Sequence, residues 1–351
     1  MMNPVMDSRV LKLRKLLKAG GIQAFIITNT SNLFYLTGLK VEGCIGLVTQ
    51  DNVKVLATGM LYGQIKKLTK GIGIINGKQD LLKAVKEYLQ NKKIRRLAFE
   101  KGSSLYRFYT SLVERFKGYK IIPGNDYVES LRVIKGEEEI KLIKEGVRAG
   151  KKSFNYIKRR IKPGKTENEL AAIMEYYLKS QLALGISFPT IVASGPNSAY
   201  PHHIPGKRIV ERGDTVLVDS GCSYKGYSSD LTRTYFLSKI CSSRLKGAYS
   251  AVHRAQKEAI GLIKPGIRCS MLYDRALKIL QDAGFGDYFI HGLGHGIGID
   301  VHEKPFINHA SRDILEAGMV ITIEPGVYIQ GLGGVRLEDV VLVTRTGHKV
   351  L

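Results

Sequence analysis

The sequence has 351 residues, of which 44% are hydrophobic and 24% are charged, and it contains no tryptophan. This length is enough for two domains of ordinary size. No apolar run approaches the roughly 20 residues needed to cross a bilayer, so no membrane association is predicted.

The cysteines and the N-terminal residues bear on the cellular compartment. Four cysteines are scattered along the chain without a CxxC pair, which is typical of reduced thiols in a cytoplasmic protein. The first ten residues show no basic segment followed by an apolar one, so no signal peptide is predicted. We therefore expect a cytoplasmic location.

The formal net charge of +23 raises the question of nucleic-acid binding. The basic residues are spread over the whole chain, and runs of five like charges, which are typical of nucleic-acid-binding arms, are absent. We therefore expect a solvated basic surface and no specific nucleic-acid partner. A basic nucleic-acid binder remains a hypothesis that depends on charge alone.

The first third of the chain alternates between predicted strands and helices. Apolar residues at helical spacing predict a helix over 8–19 with Ser8 as its N-cap. A polar turn followed by an apolar segment is expected over 29–38. Further predicted elements are strands at 24–27, 45–49, 53–56 and 94–99 and helices at 79–91 and 103–117. The alternation predicts a small α/β domain over residues 1–128 that ends near a turn at 123–126.

The remaining residues, 129–351, are predicted to form a larger α+β domain. Its first helix, 137–160, has three glutamates in its first turn, as the helix dipole favours. The next helix, 166–182, begins with a capping-box pattern. Two more helices are predicted over 244–263 and 270–283. A pair of strand hairpins rich in acidic residues separates these helices and closes the chain.

The first acidic hairpin runs from Gly213 to Tyr235. Asp219 ends an apolar strand, and Asp230 opens the β-branched and aromatic strand that follows. A carboxylate at the mouth of a buried strand is costly unless something pairs with its charge. Two such carboxylates indicate a bound cation. The competing interpretation is a solvated turn acid with a salt bridge to Arg233.

The second acidic hairpin, residues 318–343, repeats the pattern of the first. Each half has a glycine six residues before its first acid and another two residues after it. Glu324 thus corresponds to Asp219, and Glu338 corresponds to Asp230. Internal repetition of this kind predicts a pseudo-two-fold domain with its site between the two halves.

Residues 291–303, with the sequence HGLGHGIGIDVHE, carry three histidines among four glycines. The glycines let the backbone pass close to another group. A dinucleotide-binding loop is a weak alternative, because no strand-to-helix turn follows. Beside the repeated acids, the histidines favour metal chemistry.

Five residues match, in order and spacing, the ligands of the pita-bread metallopeptidases, namely Asp219, Asp230, His295, Glu324 and Glu338. The segment around His295 also resembles that family, which includes prolidase and aminopeptidase P. The resemblance covers roughly residues 130–351 and implies a pita-bread catalytic domain. Residues 1–128 resemble the creatinase-like N-terminal α/β domain of prolidase and aminopeptidase P.

Four carboxylates and one imidazole carry too much negative charge for one divalent ion, so two ions are expected. The resemblance implies that Asp219 chelates one ion, that His295 and Glu324 hold the other, and that Asp230 and Glu338 bridge them. Glu324 would also take the proton from a bridging water, which yields the attacking hydroxide. Ligands without thiolates suit manganese, with cobalt, zinc and iron as alternatives.

Further residues resemble the family's outer site. His202 and His302 match histidines that assist the tetrahedral intermediate, and His291 matches a histidine of the proline pocket. Arg336 and Tyr328 are weaker candidates for substrate binding, and a structural salt bridge between Arg336 and Asp339 is the alternative. The other histidines (His203, His253, His309 and His348) are expected to be ordinary surface or packing residues.

The resemblance implies a metallo-exopeptidase that hydrolyses Xaa-Pro bonds, either an Xaa-Pro dipeptidase or an Xaa-Pro aminopeptidase, and a homodimer. Three alternatives belong to other classes. A non-catalytic pita-bread module that binds peptides or proteins predicts lost ligands, and a creatinase-type amidinohydrolase needs no metal. The presence of all five ligands argues against both. The third alternative is the nucleic-acid binder described above.

Overall fold

A computed structural model of the chain describes residues 4–69, 71–182 and 184–351. These residues form two compact units, the first ending at Arg132 and the second beginning at Val133. The proposed domain boundary between residues 128 and 129 stays a prediction. Within the described residues, no helix combines the length and the apolar character that a membrane span requires.

The first unit alternates helices and strands. Its helices are α1 (Pro4–Ala19), α2 (Thr30–Thr37), α3 (Gly59–Leu68), α4 (Leu81–Asn91), α5 (Tyr106–Arg115) and α6 (Tyr127–Arg132). Its strands are β1 (Ala24–Ile27), β2 (Cys44–Thr49), β3 (Val53–Ala57), β4 (Gly73–Asn76), β5 (Arg96–Glu100) and β6 (Lys120–Gly124).

These six strands form one mixed sheet in the order β4-β3-β2-β1-β5-β6. The pairs β1/β5, β5/β6 and β3/β4 are parallel, and β1/β2 and β2/β3 are antiparallel. Leu47 and Leu97 of the sheet pack in one buried cluster with Leu89 of α4 and Leu112 of α5. The apolar faces of these helices are therefore buried against the sheet, as the predicted α/β class requires.

The structure corrects several local predictions in this unit. Helix α1 begins at Pro4, so Ser8 lies inside the helix and is not its N-cap. The segment predicted as a turn contains helix α2, whose N-cap Asn29 accepts a hydrogen bond from the Asn32 amide. Gly38 ends this helix with φ of 75°, a left-handed conformation that glycine adopts at low cost. Helices α3 and α6 and strands β4 and β6 were also missed.

The second unit contains helices α7 (Glu137–Lys158), α8 (Glu167–Tyr176), α9 (Ser243–Gly261) and α10 (Cys269–Asp282). Its strands are β7 (Gly185–Ile186), β8 (Ile191–Ser194), β9 (Thr215–Ser220), β10 (Cys222–Tyr224), β11 (Tyr227–Ser228), β12 (Leu231–Phe236), β13 (Gly294–Gly296), β14 (Glu303–Ile307), β15 (Val320–Ile323), β16 (Gly326–Ile329), β17 (Gly333–Arg336), β18 (Asp339–Val343) and β19 (His348–Val350). The predicted helix 166–182 ends its α-helical part at Tyr176 and continues as one π-helical turn.

The two acidic hairpins lie in two corresponding antiparallel sheets. Strands β9 and β12 pair in a sheet of order β12-β9-β8, and β15 and β18 pair in a sheet of order β14-β13-β15-β18-β19. The amide of Glu338 donates to the carbonyl of Thr232 at 3.1 Å, which joins the two halves. This arrangement of helices and paired sheets confirms the predicted α+β class with its internal repeat.

The glycines around His295 serve the sheet. A Cβ atom at Gly294 would overlap the carbonyl oxygen of Thr322 on β15, and one at Gly296 would overlap that of Lys304 on β14. Glycine is required at both positions because the backbone of β13 lies in close contact with both neighbouring strands. The close approach predicted from the sequence is thus made to other strands, and it carries His295 into the interior.

Candidate metal centre

The four repeated acids occupy equivalent places in the two hairpins. Asp219 lies on β9 opposite Thr232 of β12, and Asp230 directly precedes β12. Glu324 directly follows β15, and Glu338 directly precedes β18. Because the strands of each pair are antiparallel, each hairpin presents both of its carboxylates at the same end.

One cavity of about 480 Å³ receives these acids. The sequence-predicted site residues that line it are His202, Asp219, Asp230, His291, His295, His302, Glu324, Arg336 and Glu338. Tyr328 is the predicted residue outside this lining. The five proposed ligands therefore share one cavity, which the metallopeptidase interpretation requires.

Three carboxylate oxygens in this cavity are buried without a hydrogen-bond partner among the described residues. They are Asp219 Oδ1, Asp230 Oδ1 and Glu338 Oε1. Burial, and then repulsion from neighbouring carboxylates, raises the pKa of Asp230 and of Glu338 well above the usual range. Buried acceptors are normally satisfied, so this set fits divalent cations that would neutralise the charge and use the free oxygens.

His295 complements the carboxylates with an available nitrogen. Its Nδ1 lies 3.1 Å from the carbonyl oxygen of Gly296, and a carbonyl can only accept, so Nδ1 carries a proton. Burial opposes a charge on this ring, but the hydrogen bond and the charge of Glu324 outweigh burial and raise the pKa of His295, which favours a protonated ring in the metal-free site. A metal ion would take the place of the proton on Nε2 and use its lone pair. This atom lies 3.2 Å from Glu324 and 3.8 Å from Asp230. Ligand atoms of Asp230, His295 and Glu338 all lie within 4.8 Å of one another.

Two protein-family models together match most of the chain. Residues 141–345 match the model of metallopeptidase family M24, and residues 9–134 match that of the Creatinase/Prolidase N-terminal domain. The chain belongs to metallopeptidase family M24. Members of this family are hydrolases that use divalent metal ions, which agrees with the donor set of the cavity.

Individual M24 relatives match over almost the whole chain. The Xaa-Pro dipeptidase of Pyrococcus horikoshii is 35% identical over 99% of this chain and 97% of its own. The structure of an Xaa-Pro dipeptidase from Bacillus anthracis superposes with a TM-score of 0.92 at 33% identity, covering 98% and 97% of the two chains. An X-Pro aminopeptidase structure from Thermotoga maritima gives a TM-score of 0.91 at 31% identity, covering 97% and 96%.

Behind Asp219, a chain of hydrogen bonds leads to His291. The Arg336 guanidinium donates to Asp219 Oδ2 at 2.6 Å and to the Tyr328 hydroxyl at 2.7 Å. The hydroxyl lies 3.0 Å from His291 Nε2, and His291 Nδ1 lies 2.6 Å from the carbonyl of Gly292. Since Gly292 O accepts from Nδ1, the Tyr328 hydroxyl donates to Nε2.

Burial raises the pKa of Tyr328 to about 12, so this hydroxyl keeps its proton at neutral pH. Burial also lowers the pKa of His291, which favours its neutral ring. Both residues therefore act as fixed links in the chain that orients Asp219. The substrate-binding roles of His291, Arg336 and Tyr328 stay predictions.

Arg233 and Arg336 form ion pairs that differ from the alternative salt bridges considered in the sequence analysis. Arg233 donates to Asp339 at 2.6 Å, not to Asp219 or Asp230. Arg336 pairs with Asp219, so the alternative salt bridge between Arg336 and Asp339 is wrong. Both ion pairs form because β12 and β18 lie next to each other. The spacing of residues along the sequence does not reveal this.

Two of the predicted histidines, His202 and His302, line the cavity but are not among the proposed metal ligands. The ring of His302 has its centroid 4.2 Å from that of His295. Burial, and then the positive charge of His295, lowers the pKa of His302. His202 lines the same cavity from the loop that follows β8. Their catalytic roles stay predictions.

One hydrogen-bonded pair beside this loop is not predicted from the sequence. His203 was assigned to the ordinary histidines, but its Nε2 lies 2.8 Å from Glu167 Oε2. Glu167 was seen only as part of a helix-start pattern. The pair links residues 36 positions apart, and no local periodicity signals such a contact. The consecutive histidines 202 and 203 were the one available hint.

Proposed function

We propose that this protein hydrolyses the peptide bond before proline in Xaa-Pro dipeptides and that it needs divalent metal ions to do so. The observation that supports this most is the convergence of buried, unpartnered carboxylate oxygens, among the described residues, with His295 Nε2 in one cavity. The relatives in Pyrococcus horikoshii and Bacillus anthracis, which are both Xaa-Pro dipeptidases, support the substrate class.

In this proposal, two ions are held by five side chains. Asp219 would chelate one ion, His295 and Glu324 would hold the other, and Asp230 and Glu338 would be shared between them. Bound ions of this kind polarise a substrate carbonyl and lower the pKa of water to about 7. The oxygen-rich donor set without thiolates favours manganese, with cobalt, zinc and iron as alternatives.

Glu324 is the proposed acceptor of the proton from the attacking water. In the metal-free protein, burial opposes its charge, but the hydrogen bond and the charge of protonated His295 outweigh burial and lower its pKa. Bound ions would supply the positive charge in place of this proton. The side chain is therefore ionised at neutral pH and can accept a proton. As the C–O bond forms and the C–N bond breaks, the same proton can pass to the prolyl nitrogen, which leaves as an amine.

His202 and His302 are the proposed donors to the substrate. The lowered pKa of His302 favours a neutral ring, which still offers one N–H. An N–H aimed at the carbonyl oxygen stabilises the charge that develops there, and such donors contribute roughly 10²- to 10³-fold in rate. We assign His302 to the carbonyl of the scissile bond and His202 to the tetrahedral intermediate.

The apolar part of the cavity supports a substrate with a prolyl ring. Its lining includes Phe188, Pro189, Ile191, Val301 and Phe306. These side chains can contact the ring and the apolar part of the preceding residue. His291, T-shaped against Phe289 with ring centroids 5.3 Å apart, is the proposed edge of the proline pocket.

The second candidate is an Xaa-Pro aminopeptidase, which acts on longer peptides. The similarity to the Thermotoga maritima structure supports it. A homodimer and a cytoplasmic location belong to the same proposal, and the four buried free cysteines fit a reducing compartment.

The experiment compares three peptides after removal of metal by a chelator. Ala-Pro, Ala-Pro-amide and Ala-Pro-Ala are assayed with manganese, cobalt or zinc, with Ala-Ala as the control peptide. We expect manganese to restore hydrolysis of Ala-Pro, with the amide and the tripeptide cleaved more slowly. Faster cleavage of Ala-Pro-Ala would favour the aminopeptidase. No hydrolysis of any Pro peptide with any metal would contradict both and favour the binding module.

A further inference from the structure

The loop between β8 and β9 carries His202, whose imidazole is exposed. Among the described residues, none forms a hydrogen bond with this imidazole. The direction of the ring therefore depends on how firmly the backbone on both sides of it is held. The residues that hold this backbone determine whether His202 points into the cavity that it lines.

The segment before His202 is anchored to Glu167, the first residue of α8. The Glu167 side chain is 0% exposed. Its Oε1 accepts hydrogen bonds from the amide of Ser194 at 2.7 Å and from the Ser194 hydroxyl at 2.8 Å. The side-chain amide of Asn197 donates to both oxygens, at 3.1 and 3.2 Å.

The segment after His202 is anchored to the same carboxylate. His203 Nε2 donates to Glu167 Oε2 at 2.8 Å, and the amide of Gly206 donates to it at 3.3 Å. On the His202 side of the loop, the carbonyl of Pro201 accepts from Arg336 at 3.3 Å. Groups on both sides of His202 thus bond to one buried acid, Glu167. Pro201, the residue before His202, bonds to Arg336, which also holds Asp219.

The electrostatics of Glu167 make this anchor strong. Burial opposes its ionisation, but the hydrogen bonds from His203, Ser194 and Asn197 outweigh burial and lower its pKa. Hydrogen bonds to an ionised carboxylate are about twice as strong as those between neutral groups. Arg208 adds a second clamp, since it donates to Asp214 at 2.6 Å and to the Ser194 hydroxyl at 2.7 Å.

We propose that Glu167 and His203 are positioning residues, which hold the loop so that His202 faces the reacting peptide bond. This inference rests on the proposed catalytic role of His202. His203 is not among the residues that line the cavity, so it acts through its neighbour His202. Its side chain is 17% exposed, which makes it a milder position to change than the fully buried Glu167.

The first test replaces His203 alone and measures kcat and KM for Ala-Pro with manganese. His203→Leu removes the hydrogen bond, and we expect kcat to fall roughly 10-fold with little change in KM, the lower end of the 10- to 100-fold loss typical of residues that support a metal site without binding the ion. His203→Gln retains an N–H that can reach Glu167 and should restore most of the activity. His348→Leu is the matched control, because His348 also bonds one distant group, the Ile263 carbonyl, at 3.1 Å.

The second test repeats His203→Leu in a His202→Ala background. Since His203 is proposed to act only through His202, the further loss in kcat should be less than about 2-fold there. A loss of equal size in both backgrounds would overturn the inference, as would full activity of His203→Leu alone. If His202→Ala itself is fully active, the proposed role of His202 fails and the inference fails with it, while the peptidase assignment stands.

Hydrogen exchange tests the anchor without any assay of activity. His203→Leu should speed amide exchange over residues 195–209 and leave α9 unchanged, whereas His203→Gln and His348→Leu should match the parent protein over residues 195–209. Glu167→Gln should give the same pattern more strongly. Unchanged exchange over 195–209 in a folded His203→Leu protein would overturn the inference even if the enzyme proved inactive on every Pro peptide.

Discussion

Each unit of the chain buries carboxylates, and the two sets differ in how their oxygens are used. In the first unit, Glu100 at the end of β5 is 4% exposed. Its Oε2 accepts from the amides of Thr28 and Asn29, each at 2.7 Å, and its Oε1 accepts from the Asn32 side chain at 2.7 Å. Asn32 in turn accepts from Arg132 at 2.8 Å.

The second unit leaves oxygens of Asp219, Asp230 and Glu338 without such donors, within the described part of the chain. Burial raises the pKa of Glu100 just as it raises those of Asp230 and Glu338. Burial and a raised pKa therefore do not distinguish a structural acid from a metal ligand here. The acceptor atoms without partners do distinguish them, because one shared cation would satisfy several of these atoms at once.

The largest expected difference between the two sets is in activity. Glu338→Gln should lower kcat/KM for Ala-Pro by more than the roughly 10- to 100-fold that is typical of residues that only support a metal ligand. Glu100→Gln should leave kcat/KM within about 2-fold of the parent, since no bond to the site is removed. Steady-state kinetics with saturating manganese measures both variants, and equal losses would erase the distinction.

The next largest effect concerns stabilisation by metal. Manganese at 100 times its dissociation constant should stabilise the chelator-treated protein by about 2.7 kcal/mol for each ion bound, because it binds only the folded chain. Glu100→Gln should keep this gain, and Asp230→Asn should lose most of it. Chemical unfolding followed by circular dichroism, with and without manganese, measures the free energy of unfolding. A gain that survives in Asp230→Asn would place the ions elsewhere.

Without metal, the two sets should respond to neutralisation with opposite signs. Asp230→Asn removes a buried charge that other carboxylates repel, so the metal-free protein should become more stable. Glu100→Gln places an amide N–H against groups that already donate hydrogen bonds to this side chain. This mismatch should lower the free energy of unfolding by about 1 to 3 kcal/mol. Differential scanning calorimetry of the chelator-treated proteins measures both shifts. A lower melting temperature for metal-free Asp230→Asn would show that its charge is already compensated by the protein.

The smallest effect is a pH dependence that isolates Glu100. Its pKa is raised in the folded state, so it stabilises the fold fully below the ordinary carboxyl pKa of about 4.3. That contribution is lost as the pH rises through the folded value. The stability advantage of the parent over Glu100→Gln should therefore shrink with rising pH above this point. Unfolding curves at several pH values measure it, and a growing advantage would reverse the assigned sign.

The sequence by itself determined the candidate ligands and much of the framework. Asp219, Asp230, Glu324 and Glu338 stand at repeated positions beside short apolar strands, and such patterns are local. The glycines that flank His295 marked a close backbone approach. Helices such as α7 and α9 were predicted from caps and periodicity. Helix α2 was missed although Asn29 and Gly38 carry its capping signals, because eight residues are too few for a clear periodicity.

Only the tertiary structure decided which polar groups pair. The choice of Asp219 over Asp339 as the partner of Arg336 joins residues 117 positions apart. The bond between Glu167 and His203 and the unpartnered oxygens of Asp230 and Glu338 depend likewise on how separate strands and loops meet. Spacing along the chain fixes which face or end of an element a side chain occupies. It does not fix the distance to a donor on another element, and at buried carboxylates that distance decides between structure and metal binding.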